Sequence, residues 1–434
     1  MTGDSIRREF LNFFKKKNHQ IKPSASLIPH GDSTLLFTSA GMVPFKDQFF
    51  GKGLTDENRR AASCQKCLRE TDLENVGRTA RHQTFFEMLG NFSFGDYFKR
   101  EAISWSWEFV TEVLKFDKNR LYVSIFENDE EAFEIWTKEV GLDPKRIVRL
   151  GEKDNFWKMG DTGPCGPCSE IYIDMGEARG CKKPGCFVGC DCDRYTEFWN
   201  LVFTQYDRKA DGTLEPLPRK NIDTGMGLER VASIAQGVTS NFDTDLIRPL
   251  ITFIEDLANV DYGYYGDKDV SFRIIADHAR AVTIAMSDGI FPSNEGRGYV
   301  IRRLMRRAIR HGKLLGIDSS FMHKLVAVVI SILKNGYPEI TRQRESLTKM
   351  VRAEEEKFQQ TLDHGCRLLD EMIAKKIEAK QEISGAEAFM LFDTYGFPLE
   401  LTLEIAKEKN ISVNVEEFKA AMENQRERAR AKSS

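Results

Sequence analysis

The sequence predicts an α+β chain: an antiparallel sheet flanked by helices, followed by a mainly helical domain. Two observations predict it. Up to about Arg230, short apolar runs of strand length recur between Gly, Pro and Asp turns, without the strand–helix–strand rhythm of a parallel doubly wound sheet. After Gly227 the apolar spacing becomes helical almost throughout. At 434 residues, two or three domains are expected. The change of pattern divides them as 1–235, with a cysteine-rich insert at about 176–195, and 236–434.

In chain order, Ser5–Lys17 reads as a helix and LLFTSAG (35–41) as a strand. CLRETDLENVGRTARHQTFFEMLGNFSFGDYFK (67–99) reads as a strand–loop–strand hairpin. Helices at Lys99–Leu114 and Glu130–Val140 alternate with strands at LYVSIF (121–126), EIYID (170–174) and LVFTQYD (201–207). Helices are then expected at Leu228–Gln236, Thr244–Leu257, Phe272–Ser287, Gly298–Leu315, Met322–Asn335 and Glu339–Lys376, the last long or broken. A short insert, ISGAEAFMLFDTYGFPLEL, leads to Thr402–Lys409 and Val415–Ala431. The ending RERARAKSS has no helix terminator and reads as a truncated chain or a linker towards a further domain.

Composition excludes several classes. The chain is 41% apolar, too apolar for disorder, and its Pro and Gly content is too low for a fibre. The longest apolar stretch, Leu325–Leu333, falls far short of the ~20 residues a bilayer span needs, and no signal-peptide core is present. A soluble cytoplasmic protein with no membrane partner is expected. The formal charge is only −3, yet Asn294–Lys313 carries seven Arg or Lys against one Glu, as suits one polyanion-facing surface.

No GxxxxGK[ST] loop or complete dinucleotide fingerprint is present, so arginines and a sheet surface would have to hold a nucleotide. Two segments suit that job. In the hairpin, Arg69 offers a permanently charged bidentate contact to phosphate, and an aromatic on the returning strand offers a ring to a base. The competing reading is a surface hairpin with Phe85 and Phe86 simply in the core. In NIDTGMGLERVASI (221–234), a strand ending at Asp223 meets Gly-Met-Gly and then a helix carrying Arg230. That directs one Asp and one Arg to the same place, with glycines allowing close approach.

Cys181, Cys186, Cys190 and Cys192 lie within twelve residues of a Gly/Lys/Pro-rich insert. They suit a closed tetrahedral zinc site, with free thiols as the alternative. The pairs Cys64/Cys67 and Cys165/Cys168 read as structural. Arg302, Arg303, Arg306, Arg307 and Arg310 share one face at helical spacing, with Ile301, Leu304, Met305, Ala308 and Ile309 opposite. Five arginines without a carboxylate among them point to an RNA backbone rather than to an ordinary solvated face.

The hairpin and the Asp223–Arg230 segment resemble the second and third motifs of class II aminoacyl-tRNA synthetases. RHQTFFEMLGNFSFGDYFK, DNFWKMGDTGPCGPCSEIYID, FWNLVFTQYD and NEGRGYVIRRLMRRAIRHG narrow the resemblance to the alanyl family, across essentially the whole chain. The resemblance implies formation of alanyl-adenylate from L-alanine and ATP, then transfer to the 3′ end of tRNA(Ala). It implies ATP contacts from Arg69, Arg81, His82, Gln83, Phe86, Met88, Trp157, the 198–200 backbone (Phe198, Trp199, Asn200), Gly227 and Arg230. Alanine would lie against Asn200, Val202, Asp223 and Gly225, with Asp223 holding the ammonium. Where the family often has a second histidine, this chain has Gln83, which donates a hydrogen bond without carrying charge. Mg²⁺ is expected with ATP.

The family identifies its tRNA by a G·U pair in the acceptor stem, exposed in the shallow minor groove. By similarity its readers are Asn294 and Asp393; helix capping and an Asx turn are the ordinary uses of such residues. Full-length members usually continue into an editing domain with an HxxxH metal motif. None of His19, His30, His82, His278, His311, His323 and His364 lies four residues from another. Serine and glycine errors are therefore expected to go uncorrected. A monomer is expected, and the rival reading is a non-catalytic RNA-binding protein with a synthetase-like fold.

Overall fold

The computed structural model describes residues 1–30, 34–158, 160–264 and 266–433, without the side chains of Arg426 and 428–433, so most of the RERARAKSS ending lies outside the described side chains. The chain forms two compact units. The first is Met1–Ile251 with Ile332–Pro338; the second is Thr252–Ser331 with Glu339–Ser434.

The first unit runs α1 (Gly3–Lys16), β1 (Gln20–Ile21), α2 (Lys46–Phe49), β2 (Arg60–Leu68), β3 (Phe85–Phe94), α3 (Lys99–Glu108), β4 (Leu121–Phe126), α4 (Glu130–Glu134), β5 (Ile147–Leu150), α5 (Glu152–Asn155), β6 (Phe156–Lys158), β7 (Gly163–Asp174), β8 (Tyr195–Arg208), β9 (Leu214–Gly227) and α6 (Leu228–Gln236). The strands make one sheet in the order β1-β2-β3-β9-β8-β7-β4-β5, with β6 paired to β7. The expected sheet flanked by helices is present. Its ladder is antiparallel except at its two ends, where β1 joins β2 and β4 joins β5 in parallel. Such edge pairings leave no local sequence mark, because the partners are far apart along the chain.

Helix α1 starts where the Thr2 hydroxyl accepts from the Ser5 amide, satisfying one of the free N-terminal donors. Ile6, Phe10, Phe13 and Phe14 recur at helical spacing and are buried. Phe10 and Phe14 pack with Phe109 and Trp199, ring centroids 5.4 to 6.4 Å apart across the cluster. Each fully buried ring contributes roughly 2–3 kcal/mol. A second fastening is polar. Glu87, fully buried, accepts from Arg7 Nε (3.0 Å) and Nη2 (2.8 Å), and from Tyr337 Oη at 2.8 Å. This ties α1 and the 332–338 segment to β3.

Two expectations change. The 35–41 run is not a strand; it is held as a loop by the Thr38 amide on Leu27 O and the Leu68 amide on Thr38 O. Its Phe37 and Ala40 are buried, so the apolar signal reported burial and not ladder pairing. The ISGAEAFMLFDTYGFPLEL insert is mostly helical, supplying α12 (Gly385–Tyr395) and the start of α13 (Leu399–Glu408).

The second unit contains the rest of α7 (Arg248–Ala258), α8 (Gly266–Ser287), α9 (Gly296–Leu314), most of α10 (Met322–Leu333), α11 (Arg344–Ala379), α12, α13 and α14 (Val415–Ser433). The segment expected from Glu339 is a 3₁₀ stretch followed by the unbroken 36-residue α11. Helix α12 is started by a capping box between Ser384 and Glu387 and ended by Gly396 at φ 66°. Among the described residues, no helix is long and apolar enough to cross a membrane.

Candidate active site and cysteine cluster

The β2–β3 hairpin pairs from Arg60↔Ser93 to Leu68↔Phe85, which delivers Arg69 to the end of β2. Strand alternation then separates the two phenylalanines: Phe85 is fully buried, while Phe86 faces a cavity of about 370 Å³. From β9, Asp223, Gly225 and Gly227 reach the same cavity at every second residue. From β8 come Glu197, Phe198, Asn200 and Val202. The β7–β8 register slips where Ile171↔Trp199 gives way to Tyr172↔Glu197, leaving Phe198 as an extra, bulged residue. The bulge allows Glu197 and Phe198, neighbours in sequence, to line one cavity.

The cavity thus brings together Arg69, Arg81, His82, Gln83, Phe86, Met88, Trp157, Phe198, Asn200, Val202, Asp223, Gly225, Gly227 and Arg230. Trp199 is the exception. Its ring is fully buried in the α1 cluster, because alternation turns it away from Phe198 and Asn200, so only its backbone remains available to a ligand. The lining also includes Ala40, Asp72, Glu170, Glu197, Glu229 and Asn241, which sequence reasoning missed.

The polar groups of the lining are incompletely satisfied. Arg69 donates from Nε to Ser39 O (3.0 Å) and lies 5.0 Å over the Phe86 ring, which leaves both Nη atoms without a partner among the described residues. Arg230 donates from Nη1 to Glu197 O at 2.8 Å and to Glu197 Oε2 at 3.2 Å. Gln83 accepts from Asn241 Nδ2 (3.1 Å), and its own buried Nε2 donates to nothing described. Asn200 donates to Glu170 Oε1 at 3.0 Å, leaving its buried Oδ1 unpaired. Asp223 has no hydrogen-bond or ion-pair partner among the described residues, and burial alone pushes its carboxyl up to about 7. Burial, then the Glu197 charge, pushes Glu170 up to about 8, while the Tyr172 hydroxyl and Asn200 Nδ2 each donate to one of its carboxyl oxygens. Burial, above all, lowers His82, whose Nδ1 lies 2.7 Å from the Thr79 hydroxyl. At Gly225 a Cβ would sit 2.9 Å from Met88 Sδ, so a side chain there would narrow the cavity beside Val202 and Asp223.

In the second unit the arginine helix is not the bare cationic face that its sequence suggests. Arg307 and Arg310 are buried. Arg307 Nε pairs with Glu404 Oε1 at 3.0 Å, and Arg310 Nη1 donates to Glu408 Oε1 at 3.1 Å. Arg302 Nε lies 2.6 Å from Glu354 Oε1, and Arg306 lies 4.9 Å over the Phe358 ring. Carboxylates from α11 and α13 thus supply the counter-charge missing from α9. Burial pushes Glu404 up, but the His311 hydrogen bond and the two arginines overcome this and hold it well below the carboxylate range. Arg303, half-buried, has no ion pair among the described residues. Asn294 Oδ1 accepts from Arg302 and caps no helix; Asp393 lies within α12 rather than in an Asx turn and accepts from Gln425.

The cysteine insert is the β7–β8 connection. Positive φ at Lys182, Gly185 and Gly189 folds it back on itself. The sulfurs of Cys181, Cys186, Cys190 and Cys192 all lie within 4.8 Å of one another. Cys181–Cys190 and Cys186–Cys192 are 3.7 and 3.5 Å apart. Disulfide sulfurs sit about 2.05 Å apart, whereas thiolates ~2.3 Å from one tetrahedral zinc stand ~3.8 Å apart. The cluster is compatible with zinc. Cys64 and Cys67 are three apart on β2 and so point to opposite faces, and Cys165 and Cys168 are buried in β7; both pairs are structural in setting.

The strand expected to end at Asp223 runs on to Gly227, directly before α6. A nucleotide-sized cavity on a largely antiparallel sheet, edged by a hairpin arginine and by an aspartate on the strand that leads into a helix, is the setting of a class II synthetase site. The family model "tRNA synthetases class II (A)" matches residues 5–434, and the chain belongs to that family. It is 56% identical over 432 residues to the alanine–tRNA ligase of Desulforamulus reducens, covering 99% of this chain and 49% of that protein. It is also 56% identical over 429 residues to the alanine–tRNA ligase of Thermoanaerobacter sp. (strain X514), again 49% of that protein. The chain spans about half the length of these curated relatives. Apo histidyl-tRNA synthetase from S. aureus aligns with a TM-score of 0.33 and 11% identity over 54% of this chain and 66% of that one, a likeness too slight to carry weight.

Proposed function

We propose that the chain joins L-alanine to ATP as alanyl-adenylate, releasing diphosphate, and passes the alanyl group to the 3′ end of tRNA(Ala), releasing AMP. The observation that carries this reading is an unpaired Asp223 carboxylate in the same cavity as the unpaired Nη atoms of Arg69. The alanine ammonium pairs with Asp223, and that charge restores the ionised carboxylate which burial alone disfavours. Asn200 Oδ1 offers the ammonium a second acceptor, while Val202 and Gly225 leave room for a methyl group. The alanine carboxylate then attacks the α-phosphate, with Arg69 and Arg230 stabilising the developing charge. No nucleophilic side chain is required, so rate comes from positioning and electrostatics. Phe86 offers its ring to the base, and the Gln83 amide donates where a charged histidine is not needed. Mg²⁺ would come with ATP as part of the substrate and supply positive charge to its phosphates; Cys181, Cys186, Cys190 and Cys192 would hold a structural zinc.

The chain divides into a catalytic part, 1–235, and a tRNA-recognition part, 236–434. In the latter Arg302, Arg303 and Arg306 face the acceptor stem, and Asn294 and Asp393 read its G·U pair by exchanging their present partners for the base edges. Arg307 and Arg310 are left out of that surface because they are buried in ion pairs. The protein acts in the cytoplasm as a monomer, without a membrane partner.

The test is amino-acid-dependent ATP–diphosphate exchange. Strong exchange with alanine, weaker exchange with serine and glycine, and loss in Asp223→Ala are expected. No exchange with any amino acid from folded protein would leave a non-catalytic RNA-binding protein as the better reading.

A further inference from the structure

The connection between β7 and β8 is long for two antiparallel neighbours, which usually need only a short turn. It has few apolar anchors: Phe187 and Val188 pack against Tyr122, Tyr172 and Tyr195. Further order comes from the cysteine cluster, from Arg179 donating to Thr239 O, and from a bidentate clamp of Arg194 on Asp174, 3.2 Å to each oxygen. The residues around and just after the last cysteine reach the cavity arginines. Asp191 O accepts from Arg81 Nη2 at 3.5 Å, and Asp193 Oδ1 lies 3.4 Å from Arg81 Nη1. Glu197, five residues beyond Cys192, holds Arg230 through its carbonyl at 2.8 Å. Arg81 therefore takes its orientation from Asp191 and Asp193, which flank the last thiolate, whereas Glu197, and with it Arg230, is fixed by the β7–β8 ladder at Tyr172↔Glu197. Arg81 and Arg230 also line a small cleft with Arg179, Asp193 and Thr196.

We infer that zinc at Cys181, Cys186, Cys190 and Cys192 is a positioning device for the nucleotide end of the cavity, setting Arg81 through Asp191 and Asp193. The inference rests on the proposed occupation of the four thiolates by zinc. Without the metal the closed loop loses its cross-link and regains the conformational freedom of a free segment. Asp191 and Asp193 then cease to hold Arg81, while Asp223, Val202 and Gly225, which sit further along their strands, keep their places. Metal loss should accordingly weaken ATP binding and leave alanine recognition largely intact.

The experiment combines metal content with a KM split. Purified protein should contain one zinc per chain by elemental analysis, and cobalt replacement should give the thiolate charge-transfer and tetrahedral ligand-field bands of a Cys₄ site. In exchange assays, Cys186→Ser/Cys190→Ser should lose zinc and raise the KM for ATP about tenfold, with the KM for alanine moving less than twofold. Asp193→Ala should retain zinc yet raise the ATP KM about threefold; it also decides the matter if the cysteine variant fails to fold. A wild-type protein without zinc, or zinc loss and Asp193→Ala both leaving the ATP KM unchanged, would overturn the inference. If the wild type exchanges with no amino acid, the alanine reading fails. The positioning role is then judged by calorimetric ATP binding to the same three proteins, with the same expected ratios.

Discussion

In the sheet cavity Asp223 and the Nη atoms of Arg69 have no partners among the described residues, whereas on α9 the buried Arg307 and Arg310 meet carboxylates from α13. The two regions carry similar charged residues in opposite states. A buried charge left unpaired costs stability, and a fold tolerates it only where a ligand supplies the missing partner. A buried charge already paired has nothing left to offer a ligand and instead holds helices in register. His278 extends that pattern: its Nδ1 faces Asp277 at 2.9 Å and its Nε2 faces Arg307 at 3.2 Å, so the tautomer protonated on Nδ1 satisfies both neighbours.

Substitutions can break this contrast from either side. Asp223→Ala should reduce kcat/KM for alanine in the exchange reaction about a thousandfold, equivalent to roughly 4 kcal/mol, while the chain still folds. Arg307→Met should do the reverse. It leaves Glu404 short of a buried partner and should destabilise the helical unit by about 3 kcal/mol in urea unfolding, with the exchange rate within twofold of wild type.

Asp223→Asn sharpens the comparison through pH. Burial raises Asp223 from 3.8 to about 7, so the folded chain holds that proton more tightly than the unfolded chain. The stability it contributes is full below pH 3.8 and is lost as pH rises through about 7. At pH 8 Asp223→Asn should therefore be more stable than wild type by about 2 kcal/mol, about half the ceiling set by a rise of this size. The gap should close between pH 7 and pH 4 in paired denaturation curves. A variant that gains stability while losing exchange would identify an unpaired charge kept for its ligand.

The smallest effect is expected at Arg303, which has no described ion pair. Arg303→Ala should leave stability within about 0.5 kcal/mol and weaken tRNA binding a few-fold, with the salt slope reduced by about one. An equal loss of stability in Arg303→Ala and Arg307→Met would erase the distinction between unpaired and ion-paired arginines on α9.

Much of the cavity was legible because its chemistry is local. Arg69 stands at the end of one strand, and Asp223 and Arg230 flank a strand-to-helix turn, so each reveals its direction within a few residues. Glu197 was not legible: it reaches the cavity only through the bulge at Phe198, and alternation counted from Asn200 sends it to the other face. Glu170 stood in a recognised strand, but its role depends on the opposing Asn200 and on burial. The α9 arginines misled for a related reason, since Glu354, Glu404 and Glu408 come from helices much later in the chain. The α12 helix was the reverse case: Ser384 and Glu387 spell a capping box openly, and the Gly and Pro around them masked it.

Tyr337 donates to a fully buried Glu87 on β3, although more than two hundred residues separate them. During synthesis, the sheet bearing Glu87 is complete well before Tyr337 exists. The intervening 252–331 takes the ribosome on the order of ten seconds at ordinary elongation rates. Through that interval the Glu87 carboxylate lacks its tyrosine donor, and the first unit waits for a short return of the chain to close it. Its last folding step is therefore timed by translation of the second unit, which links the maturation of the cavity-bearing sheet to production of the helices that come after it.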